Sequence, residues 1–247
     1  MRLAPLLLAL GCGDEKDGFK SFDAGIPEDG GPWQPGEVLT CGHDPLPWYQ
    51  DGATRWDRAD SFDGRFSLGQ YWVVPPGAEE VWTVPDLADG YLDAAGDDDL
   101  VGHAVRTNAE WGDSGNDTVV GIDVVPVVAG VDSAAVFCRM TATDPPEHFY
   151  AAEIQSDRFV LLEDGEVKVE RSHDGWSVGR TFRVILVCMD RSEDTLVSAF
   201  LYQGTPGALE RVGCIWTIDG SPPAPGVAAV GIAGGAAQFD DFRLSLP

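Results

Sequence analysis

The stretch that most clearly indicates the fold is Thr181-Phe182-Arg183-Val184-Ile185-Leu186-Val187-Cys188. It begins with alternating polar and apolar residues and continues as an uninterrupted apolar run. Alternation is typical of a strand with one buried face, whereas a short apolar run is typical of a strand buried on both faces. We therefore predict a strand in the interior of a two-sheet sandwich.

Short segments of the same kind flank this stretch on both sides. From Ser61 onward, segments rich in β-branched and aromatic residues alternate with Asp-Gly, Gly-Asp, Pro-Pro and Pro-Gly steps, which favour turns. The predicted strands span residues 70–74, 81–84, 118–128, 134–140, 149–154, 158–162, 166–171, 181–189, 196–202, 211–218, 228–232 and 237–244. Because helical periodicity is nearly absent, the pattern predicts an all-β fold, an antiparallel sandwich or jelly roll.

The first twelve residues predict an export signal. They carry one cation, a short apolar run and a small residue before a cysteine, and the run is too short to span a bilayer. The ending Ala9-Leu10-Gly11-Cys12 resembles the lipobox of bacterial lipoproteins, in which the cysteine is acylated and becomes the mature N-terminus. The resemblance implies that residues 1–11 are a signal peptide, that Cys12 is lipidated, and that the protein resides in the cell envelope at the outer membrane.

The next segment, residues 12–57, is predicted to be a lipidated flexible tether. It is rich in Gly, Pro and Asp, has isolated aromatic residues, and lacks a sustained period of either 2 or 3.6. Within it we expect Cys41 and Leu46-Pro47-Trp48-Tyr49 to dock onto the folded domain. That domain is predicted to span residues 58–247.

The charge balance of the chain excludes one class of partner. Against 16 Lys and Arg residues stand 41 Asp and Glu residues, and the net charge is -25. Such a surface repels phosphate backbones and anionic lipids. We therefore expect no nucleic acid partner, and contact with a membrane only through the N-terminal lipid.

Apart from Cys12, the chain has four cysteines: Cys41, Cys138, Cys188 and Cys214. An exported protein meets an oxidising compartment, so two disulfides are expected, with three connectivities open. We slightly prefer Cys188 with Cys214, because their strands belong to one meander, which leaves Cys41 for Cys138. The spacings of Cys and His do not match a structural zinc site.

Several segments resemble one family in their order and spacing. They are Asp60-Ser61-Phe62-Asp63-Gly64, Tyr71-Trp72-Val73-Val74, Val81-Trp82-Thr83-Val84, Asp89-Gly90-Tyr91-Leu92, Val136-Phe137-Cys138-Arg139, His148-Phe149-Tyr150-Ala151-Ala152 and Gln238-Phe239-Asp240-Asp241-Phe242-Arg243-Leu244. Together they resemble the concanavalin A-like lectin and glucanase jelly rolls of the laminin G-like kind, over roughly residues 58 to 247.

The resemblance implies that the first and last strands lie side by side. Phe62 and Phe239 would then share one core layer, and Asp60, Asp63 and Asp240 would lie near the joined ends. The chain departs from the family after Cys188, where Asp190-Arg191-Ser192-Glu193-Asp194 replaces a short Gly turn.

The sequence contains none of the catalytic motifs that we sought. Relatives of this fold that cleave glycans with retention carry a Glu-x-Asp-x-x-Glu strand, which this sequence lacks. The nearest carboxylates, Glu163-Asp164-Gly165-Glu166 and Glu147, fall at a turn or beside prolines. Nucleophile elbows and phosphate-binding Gly-Lys-Ser/Thr loops are also missing. Whether the protein is an enzyme is left open, with no catalytic residue assigned.

Aromatic residues at turns indicate where a sugar ring could stack. Trp72, Trp82 and Trp216 alternate within strands and are expected in the core. The predicted ligand face consists of Trp111, Trp176, Tyr150, His148 and Arg139. The alternative for each turn tryptophan is that it closes one end of the sandwich.

Acidic loops offer the hard oxygen ligands that Ca²⁺ prefers. Candidates are Asp97-Asp98-Asp99, Asp113-Ser114-Gly115-Asn116-Asp117, and the joined chain ends with Asp60, Asp63, Asp240 and Asp241. The alternative is that these are ordinary turn residues. Calcium is therefore the one cofactor considered.

These observations predict an envelope-anchored, non-catalytic carbohydrate-binding or surface-interaction module, whose partner is a polysaccharide or cell-surface glycan. The alternatives are a divergent glycoside hydrolase and a structural envelope lipoprotein without a ligand.

Overall fold

The computed structural model describes residues 41–50, 58–62, 68, 71–84, 91–108, 113–114, 117–129, 131–191 and 193–245. These residues form one short helix and a series of β-strands. The elements are α1 (Leu46–Gln50), β1 (Arg58–Asp60), β2 (Trp72–Val73), β3 (Trp82–Thr83), β4 (Leu92–Gly96), β5 (Val105–Thr107), β6 (Asp113–Ser114), β7 (Thr118–Pro126), β8 (Ser133–Met140), β9 (Tyr150–Gln155), β10 (Arg158–Glu163), β11 (Glu166–Ser172), β12 (Thr181–Asp190), β13 (Thr195–Thr205), β14 (Ala208–Asp219), β15 (Gly226–Ala233) and β16 (Gly235–Ser245). Within the described ranges, α1 is far too short to cross a bilayer, and no other helix is a candidate span.

The strands pair in two antiparallel sheets. Sheet 1 has the order β14-β13-β12-β7-β16-β4-β3 with β1 added beside β16, and sheet 2 has the order β11-β10-β9-β8-β15-β5-β2 with β6 added beside β15. Many neighbours are distant in sequence, as in a jelly roll. The all-β, two-sheet jelly-roll fold predicted from the sequence is confirmed. Arg58 pairs with Leu244, so the first and last strands lie side by side, as the family resemblance implied.

Strand β12 lies in the interior of sheet 1, between β7 and β13. Alternate side chains, including Phe182 and Leu186, enter the core between the sheets. The intervening Ile185 and Val187 pack into a second apolar cluster on the outer face of sheet 1. Both faces of the strand are therefore covered, which explains why its sequence is an apolar run rather than a strict alternation.

The core between the sheets contains the aromatic residues expected there. Phe62 and Phe239 are both buried in it. The Trp72 ring lies 5.8 Å from the Phe62 ring and 4.7 Å from the Phe242 ring, measured between centroids. The core positions expected for Trp72 and Trp82 are confirmed, whereas Trp216 packs, partly buried, on the outer face of sheet 1.

Residues 41–50 cover the outer face of sheet 1, and we call them the strap. Cys41 is bonded to Cys214, and Leu46 and Tyr49 are buried against this face. The Tyr202 hydroxyl donates to Asp44 Oδ1 at 2.6 Å. The docking expected for Cys41 and the Leu46–Tyr49 stretch is thus confirmed at Cys41, Leu46 and Tyr49.

All four cysteines form disulfides, as expected, but the preferred pairing is wrong. The bonds join Cys41 to Cys214 and Cys138 to Cys188. Strand β13 separates β12 from β14, so two strand spacings, about 10 Å, lie between Cys188 and Cys214 across the sheet. They are also offset along the strands, because Cys188 pairs with Val197 and Cys214 pairs with Phe200. Their side chains also point to opposite faces, Cys188 to the core and Cys214 to the strap, which excludes a bond between them.

Candidate functional site

The described members of the predicted ligand face lie at two ends of the sandwich. Arg139, His148 and Tyr150 lie at one end, close to the last residues of β12 and β14. Trp176 lies at the other end, beside the β9–β10 turn, where Gly175 is held close to the Ser156 carbonyl. Trp111 falls outside the described residues.

Arg139 connects the two sheets from a buried position. Its side chain is 1% exposed, and Nη2 donates to Asp190 Oδ1 at 2.5 Å. Nη1 donates to Thr195 Oγ1 and to the Pro223 carbonyl oxygen. The guanidinium is therefore held by contacts within the protein.

Tyr150 is also buried, and its hydroxyl donates to Asp219 Oδ2. Burial, and then the hydrogen bond to Asp219, raise the pKa of Tyr150. Glu163 adjoins this pair, and Lys168 Nζ lies 3.1 Å from its Oε2. Burial raises the pKa of Glu163, Lys168 opposes the change, and the Asp219 carboxylate adds to it.

His148 is exposed, and its Nδ1 lies 2.9 Å from Asp164 Oδ2. That hydrogen bond raises the pKa of His148. Arg139 and Tyr150 are buried, so His148 is the one member of the predicted ligand face at this end whose side chain is exposed to solvent.

Trp176 is partly buried, and its ring packs edge-on against Phe182 at 4.9 Å between centroids. This contact closes the space between the sheets at that end, as the alternative interpretation of a turn tryptophan expects.

The described carboxylates at the joined chain ends each accept hydrogen bonds from different donors. Asp60 Oδ2 accepts from Trp72 Nε1 at 2.8 Å on the core side of sheet 1. Asp241 accepts from Arg183 and Arg243 on the outer face. Asp240 accepts from the Asp241 amide, and Asp63 lies outside the described residues. Among the described side chains, no three His, Cys, Asp or Glu residues are grouped as metal ligands would be. Calcium binding stays a prediction.

A pocket of about 370 Å³ lies on the outer face of sheet 2, at the end of the sandwich that carries Trp176. We call it the polar pocket. Its polar lining consists of Asp98, Asp132, Ser133, Glu153, Gln155 and Ser156. Leu100 and Ala233 supply apolar surface beside these groups. Carboxylate, amide and hydroxyl groups thus surround a small apolar floor.

Two glycines bring the walls of the polar pocket together. At Gly234, φ is +56° and a Cβ would lie 2.1 Å from Asp132 Oδ2, so this position favours glycine. The Gly234 carbonyl accepts from the Asp132 amide, and its amide donates to the Asp97 carbonyl, both at 2.7 Å. At Gly231, a Cβ would lie 2.7 Å from the Leu100 carbonyl oxygen, so glycine lets the 97–104 loop lie on the sheet.

Glu153 is the buried carboxyl of this pocket, only 6% exposed. Burial raises its pKa, and hydrogen bonds with the Ser133 and Gln155 side chains oppose the change. Asp98 and Asp132 are exposed. The pocket therefore combines one fixed, buried acceptor with two exposed carboxylates, a set that can accept hydrogen bonds from several hydroxyl groups.

The sequence indicated one of these residues. Asp98 belongs to an acidic loop considered for calcium, whereas Asp132, Glu153 and Gln155 were not singled out. These residues come from separate segments of the chain. Gly234 joins the segment of Asp132 to the loop that carries Asp98, and the sequence around Gly234 has no distinctive motif.

Comparison with known proteins identifies the fold. No protein-family model matches the chain, and no curated protein matches it by sequence. The basic winged bean lectin, solved with Tn-antigen, superposes with a TM-score of 0.52 and 10% identity, covering 77% of this chain and 98% of the lectin. The carbohydrate-binding module CBM66 from Bacillus subtilis superposes with a TM-score of 0.50 and 15% identity, covering 71% of this chain and 96% of the module. The protein has a concanavalin A-like jelly-roll fold, as the sequence resemblance suggested.

Proposed function

We propose that this protein is a non-catalytic carbohydrate-binding module and that the polar pocket receives a sugar unit of a polysaccharide or cell-surface glycan. The observation that carries the proposal is the composition of the pocket, in which Asp98, Asp132 and Gln155 surround Leu100 and Ala233. A sugar ring offers hydroxyl donors at its edge and C–H groups on its face, and this lining complements both. The two similar folds named as a lectin and a carbohydrate-binding module add support.

The position of the pocket favours weak binding of a long chain. It is open to solvent on a sheet face, so a polysaccharide can pass across it without being enclosed. At an open site, much of the favourable free energy of binding is offset by the entropy lost when the sugar chain and the contacting side chains become ordered. We therefore expect dissociation constants between about micromolar and millimolar.

Affinity electrophoresis in gels containing β-glucan, mannan or xylan tests the proposal. The full chain carrying Cys12→Ser should be retarded by at least one polysaccharide, and Asp98→Ala or Gln155→Ala should reduce retardation by about tenfold, the loss of roughly 1.4 kcal/mol. Asp174→Ala, an exposed carboxylate outside the pocket, is the matched control. Retardation that survives both pocket variants would assign binding elsewhere, and retardation by no glycan would reject the function.

The hydrolase alternative is tested in the same samples. Asp219 interacts with Glu163 closely enough to raise the pKa of Glu163, whereas retaining glycosidases hold their two carboxyl groups about 5 to 5.5 Å apart. We expect no reducing ends after prolonged incubation with the retained polysaccharide. Their appearance, and their loss in Glu163→Gln, would make the protein an enzyme.

We further propose that Cys12 is acylated and anchors the domain in the cell envelope, at the outer membrane. The support is the sequence Ala9-Leu10-Gly11-Cys12. In a bacterial host, the wild-type chain should partition into detergent with the membrane fraction, and Cys12→Ser should release it. Membrane retention of Cys12→Ser would contradict the anchor without affecting the glycan proposal.

A further inference from the structure

A second pocket, of about 440 Å³, adjoins the polar pocket at the same end of the sandwich. We call it the basic pocket, and it is lined by Arg158, Glu170, Arg171 and Ser172. Gln155 and Ser156 line the polar pocket. Asp157 is the single residue between Ser156, in the polar pocket, and Arg158, in the basic pocket. The tight turn between β9 and β10 therefore forms the boundary between the two pockets.

The two arginines of the basic pocket differ in their partners. Arg158 lies 3.0 Å from Glu170 and 3.7 Å from Asp157, both on the exposed surface. Arg171 pairs in register with Phe159, a core residue, which places its side chain on the inner side of β11. Its Nη1 is buried and has no hydrogen-bond acceptor among the described residues.

Arg171 Nη1 has no acceptor among the described residues, although the chain has 41 acidic and only 16 basic residues. A buried donor without an acceptor costs free energy, and more so when it is charged. The guanidinium group presents a planar set of donors that matches a carboxylate or a sulfate ester. Because Arg171 also lines the basic pocket, its guanidinium group is suited to an anionic group that enters this pocket from outside the protein.

We propose that the basic pocket binds an anionic substituent, a carboxylate or a sulfate ester, on the sugar unit next to the one held in the polar pocket. This inference rests on the proposed function and makes it more specific, because the ligand becomes an acidic polysaccharide. The surrounding negative charge repels polyanions in general. Binding therefore depends on the substituent reaching Arg171, and not on charge alone.

The first experiment uses small probes, so that its result does not depend on a polysaccharide. Glucuronate is titrated into the full chain carrying Cys12→Ser, with glucose as the neutral control, and the arginine Nε–H resonances are followed by NMR. We expect a saturable shift of one arginine signal with glucuronate only, and its loss in Arg171→Gln. Arg180→Gln removes the same charge from an exposed position at the same end and should leave the titration unchanged.

A second variant, Glu170→Gln, is expected to strengthen glucuronate binding rather than weaken it. Glu170 competes for Arg158 at the mouth of the basic pocket, so Glu170→Gln should strengthen glucuronate binding about threefold or more. A thermal midpoint within a few degrees of wild type for each variant confirms that folding is intact. Should Arg171→Gln unfold, the Glu170→Gln result and the wild-type titration still decide the question.

The polysaccharide experiment distinguishes the two anionic groups and separates this inference from the proposed function. Retardation is compared in gels of polygalacturonate, dextran sulfate and neutral dextran at two salt concentrations. Stronger retardation by one charged polymer, lost in Arg171→Gln but not in Arg180→Gln, supports the proposal and names the substituent. If neutral glycans bind through Asp98 and Gln155 but acidic ones bind no better, the inference fails and the proposed function stands. Equal losses in Arg171→Gln and Arg180→Gln would also overturn it.

Discussion

The ring of Tyr49 occupies the space directly over Gly121, where a Cβ would lie 2.2 Å from the ring atom Cε2. The guanidinium groups of Arg183 and Arg243 lie 4.3 and 4.9 Å from the centre of the same ring. The Tyr49 hydroxyl donates to the Asp241 carbonyl at 2.6 Å. A glycine in the middle of a strand thus forms the slot that fixes the strap to sheet 1.

A double-mutant cycle tests this slot. Tyr49→Ala should lower the free energy of unfolding by about 3 kcal/mol, because it leaves a cavity over the sheet. Gly121→Ala should cost about 1 to 3 kcal/mol, since the new methyl group displaces the ring. In the Tyr49→Ala background, Gly121→Ala should cost almost nothing. Urea denaturation measures all four proteins, and additive losses would show that the two residues are independent.

The disulfide pairing has a direct test. Peptide mapping of the unreduced protein should recover Cys41 with Cys214 and Cys138 with Cys188. Replacing either pair with serine should lower the free energy of unfolding by about 2 to 4 kcal/mol. Only Cys41→Ser/Cys214→Ser should also speed amide exchange in α1, because the strap loses its covalent attachment. Faster exchange of α1 in the other pair instead would contradict the role given to Cys41.

The partly buried carboxyl of Glu163 predicts a pH dependence of stability. Burial, with a further contribution from Asp219, raises the pKa of Glu163 above its ordinary value of 4.5. The folded state therefore holds this proton more tightly than the unfolded chain does. The stabilisation is complete below about pH 4.5 and is lost as the pH rises through the folded-state pKa.

We expect Glu163→Gln to be more stable than wild type at pH 7 and to show a flatter decline between pH 4.5 and 7. Urea unfolding across this range measures the effect. Glu166→Gln is the matched control, since Glu166 lies on the same turn with 79% of its side chain exposed. Identical pH profiles for wild type and Glu163→Gln would contradict the assignment.

Arg139 provides a test between a structural and a ligand-binding role. Arg139→Ala removes a buried cation and leaves Asp190 without it, so the free energy of unfolding should fall by about 3 to 5 kcal/mol. Arg139→Lys keeps the charge but not the forked geometry and should restore only part of the loss. If Arg139→Ala keeps wild-type stability and loses glycan retention, the ligand-face hypothesis is right for this residue.

The predictability of the fold differed between strands. The apolar run in β12 and the aromatic segments of β2 and β3 predicted the positions of these strands correctly. The pattern of apolar residues shows whether one or both faces of a strand are buried. The strands at 92–96, 105–107 and 113–114 were not predicted. They are short and contain Gly, Asp or Arg, and pairing with longer neighbours holds them in place.

The disulfide pairing and the polar pocket were beyond sequence reasoning for related reasons. A cysteine pair is decided by which face each strand turns to the core, and Cys214 follows Gly213, where a register shift in β14 alters the alternation. The pocket needs Asp132, which directly precedes β8, and Glu153, on the neighbouring β9, to lie beneath a loop that carries Asp98. Each residue alone resembles an ordinary surface acid, so the signal lies in their proximity.

The two disulfides also determine how the domain would carry a mechanical load. Force arriving along the chain before Cys41 enters β14 through the Cys41–Cys214 bond and bypasses both α1 and β1. It spreads through β13 to β12 and crosses to β8 through the Cys188–Cys138 bond. Strand β8 begins at Ser133, in the wall of the polar pocket. A polymer held there would therefore pull against a path whose two transfers between layers are covalent.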